Sequence, residues 1–137
     1  MRREQSGQAL VEWAASSFVL LLFALGLLAV GQVIGEYMAV RSAATQAAFA
    51  AARAPSEQAA QKAGQSAAQE AVKGSQVQDF KVTIDTQGFQ RGGTITVTGE
   101  GFVSLEAFPI VAQVLGRHVP LKWQAHALVE PYRSRTP

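Results

Sequence analysis

Few residues in this chain could do covalent chemistry. There is no cysteine, which excludes thiolate catalysis, a disulfide framework and Cys-ligated metal sites. His118 and His126 stand either side of Pro120 with no carboxylate at ligand spacing, and strand alternation puts His126 on a solvent face. Asp79 and Asp85 fall on one face of a predicted strand. At 3.3 Å per residue they lie ~20 Å apart, whereas paired catalytic carboxyls stand roughly 5–10 Å apart. Gly88-Phe89-Gln90-Arg91-Gly92-Gly93 reads as a turn rather than a phosphate cradle, and no GxSxG, Walker-type or HExxH motif is present. The sequence predicts neither an enzyme nor a cofactor or metal.

One residue has a strong physical claim. Glu12 is the last charge before an apolar run that continues to Glu36. About 20 apolar residues cross a ~30 Å hydrocarbon layer at 1.5 Å per residue, so Ala14 to Gly35 is long enough to span with slight tilt. A buried core helix is the competing reading, but the rest of the chain holds too little apolar surface to wrap such a rod on every side. A carboxylate costs about 2.5–3.5 kcal/mol at the centre of a membrane helix and less at its edge. Glu12 can therefore snorkel to headgroups.

Upstream of Glu12 lie a short basic leader, Met1-Arg2-Arg3-Glu4-Gln5-Ser6, and a glycine. The order Gly7-Gln8-Ala9-Leu10-Val11-Glu12, followed by the apolar run, resembles the class III signal of type IV pilins and pseudopilins. Its wording is close to the start of TadE-like minor pilins of the tight-adherence pilus apparatus. The resemblance implies that a prepilin peptidase cuts between Gly7 and Gln8, leaving residues 1–7 in the cytoplasm. Many pilins begin their mature chain with an aromatic residue or Met; this one begins with Gln8.

The cut creates an α-amine on Gln8, one helical turn or ~6 Å below Glu12. In offset neighbouring helices, the Glu12 of one subunit can meet the Gln8 amine of another. At an effective dielectric of 20 such a contact at 4 Å gives about 4 kcal/mol before desolvation, and the resemblance assigns Glu12 this recruiting role. It further implies as partners major and minor pilins, an inner-membrane assembly platform and membrane lipid. The setting is a bacterial inner membrane, or the cell exterior once the subunit enters a pilus.

Length and charge agree with an anchor plus one small domain. The 137 residues leave no room for two cores. The formal charge is only +2, and the basic residues after the span are scattered from Arg41 to Arg135, so a nucleic-acid footprint is not expected. Arg2 and Arg3 precede the span and no Lys or Arg follows until Arg41. The positive-inside tendency puts the N-terminus in the cytoplasm and residues 36–137 outside. Two alternatives stay open: a single-pass anchored domain that binds envelope components without polymerising, and a secreted domain released near Ala50.

The elements that position these residues follow from periodicity. Tyr37, Val40, Ala44, Ala47, Ala48 and Ala51 share one helix face, and no proline intervenes before Pro55. Residues 8 to about 53 are predicted as one rod ~70 Å long, spanning lipid over 8–35 and carrying the domain over 36–54. Gly26, Gly31 and Gly35 interrupt the span, and Gly31-Gln32-Val33-Ile34-Gly35 matches the GxxxG spacing of tight helix contacts. Such matches also arise by chance.

A small α+β domain is expected over 55–137. Its second helix runs from Ser56 (N-cap) to Lys73, stops at Gly74, and has an inner face of Ala60, Ala63, Ala67 and Ala71. Gly64 costs it about 1 kcal/mol against Ala.

Period-two alternation then predicts three antiparallel strands: Phe80–Asp85, Thr94–Thr98 and a third, the longest, from Leu121 to Glu130. The upper helix stripe is their expected cover, a pilin-like layout. Between the second and third strands lies Gly101–Gly116, with Pro109 at a helix start and Gly116 at its stop. Phe108, Ile110, Val111, Val114 and Leu115 make this short helix more apolar than a connection needs. It caps the sheet, or its outer face touches the membrane surface or a neighbouring subunit. The pilin resemblance extends to this Pro-containing insertion and to the last strand running into Val129-Glu130-Pro131-Tyr132, with Tyr132–Pro137 expected to fray.

Overall fold

A computed structural model describes residues 2–129. The expected continuation of the last strand through Glu130 to Tyr132 and the tail to Pro137 lie outside the described residues.

A single helix, α1, runs from Arg2 to Ala52, 51 residues without a break. Nothing before Pro55 removes a backbone donor, and the chain leaves the helix at Arg53 and Ala54, as the residue before a proline must. Val40, Ala43, Ala44, Ala47, Ala48 and Ala51 form its fully buried stripe.

The second helix, α2, spans Glu57–Val72. Ser56 is extended and its hydroxyl accepts the Ala59 amide at 3.2 Å, satisfying a donor the first turn would leave free. Gly74, at φ +79°, turns the chain away. The α2 stripe facing α1 is Ala60, Gly64 and Ala68, with Ala63, Ala67 and Ala71 half-buried beside it. It therefore differs from the expected alanine face. The reason is Gly64: a Cβ there would lie 2.3 Å from Ile84 Cδ1 and 3.3 Å from the Ala47 carbonyl oxygen. The glycine that weakens the isolated helix is what lets α2 settle on α1.

Three antiparallel strands follow, β1 (Gln78–Asp85), β2 (Thr94–Ser104) and β3 (His118–Leu128), in the order β1-β2-β3. β2 runs on through Gly99 and Gly101 to Ser104, past the Thr98 at which the alternation of threonines stops. β2 and β3 have the same length, 11 residues, so the last strand is not longer than its neighbour. Both glycines mark close approach: a Cβ on Gly101 would meet Val77 Cγ1 at 2.4 Å, and one on Gly99 would touch Val40, Ala44 and Phe80. A bulge between Gln78 and Lys81 carries Asp79 at φ +48°. The connection to β3 contains α3, Pro109–Leu115.

The sheet lays one face on α1. Ile84, Ile95, Val97, Ala125, Ala127 and Val129 pack against the alanine stripe and α2. Large side chains such as Ile95 and Val97 contribute about 1.5–3 kcal/mol each on full burial; the alanines add little area but bring the layers close. Two polar contacts fix α2 to the edge of β1. The buried Thr86 hydroxyl donates to Glu57 Oε1 at 2.6 Å, and Gln61 Nε2 donates to the Ile84 carbonyl at 2.8 Å.

A second cluster sits lower on α1. Val40, Val103, Leu105 and Leu121 are buried together with Ala29, and Val33, Tyr37, Phe108, Val111 and Ala112 pack against them.

Candidate functional site

The candidate site is the lower half of α1 and the rim of the domain that meets it. By length and composition α1 could cross a membrane. Only 6% of its most apolar window is buried, so the folded domain does not use this segment as its core. Leu10, Val11, Trp13, Phe18, Leu20 and Phe23 are all exposed, which is the state of an apolar rod that has no protein cover.

Gly7, Gln8 and Glu12 are exposed and lie within the same uninterrupted helix. A Cβ on Gly7 would meet nothing within 4 Å. Glu12 follows Gln8 by one turn and makes no hydrogen bond or ion pair among the described residues. Its carboxylate is therefore free for a partner outside this chain, or for solvent and headgroups.

Gly26, Gly31 and Gly35 also meet nothing within 4 Å. The domain does not pack on them. At ~100° per residue Gly31 lies about 200° around the helix from Ala29, and Gly35 the same from Val33. Ala29 and Val33 face the domain, so Gly31 and Gly35 occupy the reverse side of α1, where Ile34 and Met38 are exposed as well.

The rim is built from polar and apolar groups at different heights. On one side, Glu36 Oε2 accepts the Gln76 amide at 3.0 Å and Gln32 Nε2 donates to Gln76 Oε1 at 3.0 Å. These tie the α2–β1 loop to α1. On the other side α3 reaches lower, to the level of Ala29, which is 1% exposed although Leu27, Leu28 and Val30 around it are open. Phe108 and Val111 are half-buried in that contact, while Ile110, Val114 and Leu115 are exposed. Thus α3 both caps the sheet end and presents an uncovered apolar face. Above the rim, Trp123 is held edge-to-face by Tyr37 (centroids 5.9 Å, 88°), and the Arg41 guanidinium lies 4.9 Å from its ring centre.

The sequence expects α1 to carry the domain over 36–54, and the packing reaches further down. Packing begins at Ala29, and the apolar run hides this because an alanine facing lipid and one facing a core have the same composition. Gln32 within the run was the available signal, since a polar side chain there needs a partner. The remaining titratable groups stand apart. His126 is exposed on β3 with Nδ1 3.1 Å from Thr96 Oγ1, His118 stacks at a tilt on Phe102, and Lys122 pairs with Glu100 at 3.0 Å on the open face. Among the described residues no three of His, Asp or Glu gather where they could hold a metal ion. No family model, curated protein or solved structure matches the chain.

Proposed function

We propose that the chain is a TadE-like minor pilin, cut by a prepilin peptidase between Gly7 and Gln8 and assembled through α1 into, or at the base or tip of, a bacterial tight-adherence pilus. It is a substrate of the peptidase rather than an enzyme. Until assembly it is a single-pass protein of the inner membrane, with its N-terminus cytoplasmic and the α+β domain outside. The observation that carries this reading is an unpaired, exposed Glu12 one turn above Gly7–Gln8, on a helix whose lower half has no cover. Gly7 makes the helix locally easy to open for cleavage. The cut supplies a cation at Gln8, and a packed neighbour brings that cation to Glu12. The uncovered reverse face with Gly31 and Gly35 suits close approach by sibling helices.

The test is N-terminal sequencing of protein from intact cells, with the Glu12→Leu variant beside it. Wild type is expected to start at Gln8, and Glu12→Leu is expected to insert and be cut but to fail to assemble. Protein that starts at Met1 while filaments form normally overturns the reading and leaves a plain anchored domain. Unchanged pilus formation by Glu12→Leu overturns the role of the acid alone.

A further inference from the structure

We propose that α3 is an interfacial lipid contact: Ile110, Val114 and Leu115 dip into the membrane beside the upper end of the span. The inference rests on α1 being a membrane span. Its geometry comes from the second core cluster, in which Phe108, Val111 and Ala112 of α3 pack into the same group as Ala29 and Val33 of α1. Ala29 lies ~10 Å below Glu36 along the helix axis, inside the charge-free run. Measured from Ala14, just above Glu12, a ~30 Å hydrocarbon layer reaches about Ile34. Ala29 and α3 then lie roughly 7 Å below its upper edge, the depth of an interfacial helix.

At that level the outer face of α3 has no protein cover. Val114 is 81% exposed, Leu115 59% and Ile110 53%, and Gln113 is the one polar side chain on the helix. Leu27, Leu28 and Val30, next to Ala29 in α1, are exposed and apolar as well, so one solvent at that level must suit both elements. Part of the α3 backbone is satisfied without water, although no side chain caps its first turn. Pro109 removes one amide from its first turn, the Phe108 amide bonds the Leu105 carbonyl at 2.9 Å, and the Gly116 amide bonds the Ala112 carbonyl at 2.9 Å. Glu106 before the helix and Arg117 after it are exposed and suit the headgroup layer.

The chain has no cysteine, which permits single-site labelling of the full chain. Val114→Cys, Leu128→Cys and Leu20→Cys would each carry an environment-sensitive fluorophore in phosphatidylethanolamine–phosphatidylglycerol vesicles. Leu128 is an exposed apolar residue at the far end of β3 and reports water; Leu20 reports the span. The probe at 114 is expected to be quenched by spin-labelled lipid with the label near the headgroups, and to be several-fold less sensitive to aqueous iodide than the probe at 128. Iodide quenching at 114 equal to that at 128, with the probe at 20 still quenched by lipid, overturns the proposal and leaves the span intact. A probe at 114 shielded from both quenchers, with the shielding lost as protein is diluted in lipid, assigns the face to a second copy and also overturns it. If the probe at 20 is not quenched by lipid, the span itself fails and the proposal with it.

Discussion

Gly64 and Glu12 are single residues whose meaning depends on what stands opposite them. At Gly64 two effects compete. Alanine would gain about 1 kcal/mol of helix propensity, but its Cβ must displace Ile84 Cδ1 and press on the Ala47 carbonyl oxygen, and overpacking costs about 1–3 kcal/mol. Ile84, on β1, is buried between the sheet and the two helices and has little room to move. For Gly64→Val the propensity gain is mostly absent. It is expected to lower stability by about 2 kcal/mol, read as a reduced urea midpoint in detergent; an unchanged midpoint would mean a looser α1–α2 seam than these distances describe. Glu12 was legible in the sequence because a charge at the edge of an apolar run needs no tertiary information to stand out. The role of Gly64 was not, since propensity alone registers only what a glycine loses.

At the scale of elements, α2 is held by few strong contacts. Its stripe is alanine and glycine, so area contributes little, and the Thr86–Glu57 and Gln61–Ile84 hydrogen bonds fix its start against β1. A hydrogen bond with a charged acceptor contributes about 1.5–3 kcal/mol, less here because Glu57 is exposed and regains water once released. Thr86→Val is expected to cost about 1 kcal/mol and to raise amide exchange in the first turns of α2 more than in β2. Uniform acceleration across the domain would instead indicate loss of global stability. The element pattern was largely readable: a proline-free rod, a Ser cap, a Gly stop and three alternating strands are local signals. The ends of β2 were not, because Gly99 and Gly101 look like a strand stopping when they are places where Val77, Val40 and Phe80 press close.

For the whole molecule the same helix is an uncovered rod below and a core wall above. Ala43, Ala44, Ala47, Ala48 and Ala51 are buried in the domain, so release of a domain near Ala50 would strip most of that wall. A fragment of residues 55–129 is expected to lack a cooperative thermal transition and to bind a dye for exposed apolar surface, whereas the full chain in detergent melts cooperatively. A folded 55–129 fragment would show that the sheet and α2 suffice without α1. Where the domain begins along the rod was the least legible feature, because lipid and a protein core select the same side chains around Ala29.

The unbroken course of α1 also makes it a lever. A tilt of about 10° pivoting at Leu28 moves Ala52 sideways by roughly 6 Å over an arm of ~36 Å. No proline lies along that arm to absorb the angle, and the sheet is bonded to its outer end through Val40 and the alanines above it. Under the proposed membrane anchoring, a change in bilayer thickness or in crowding at the bottom would reach the α+β domain as a displacement, with Gly31 and Gly35 the only glycines on the way to soften it.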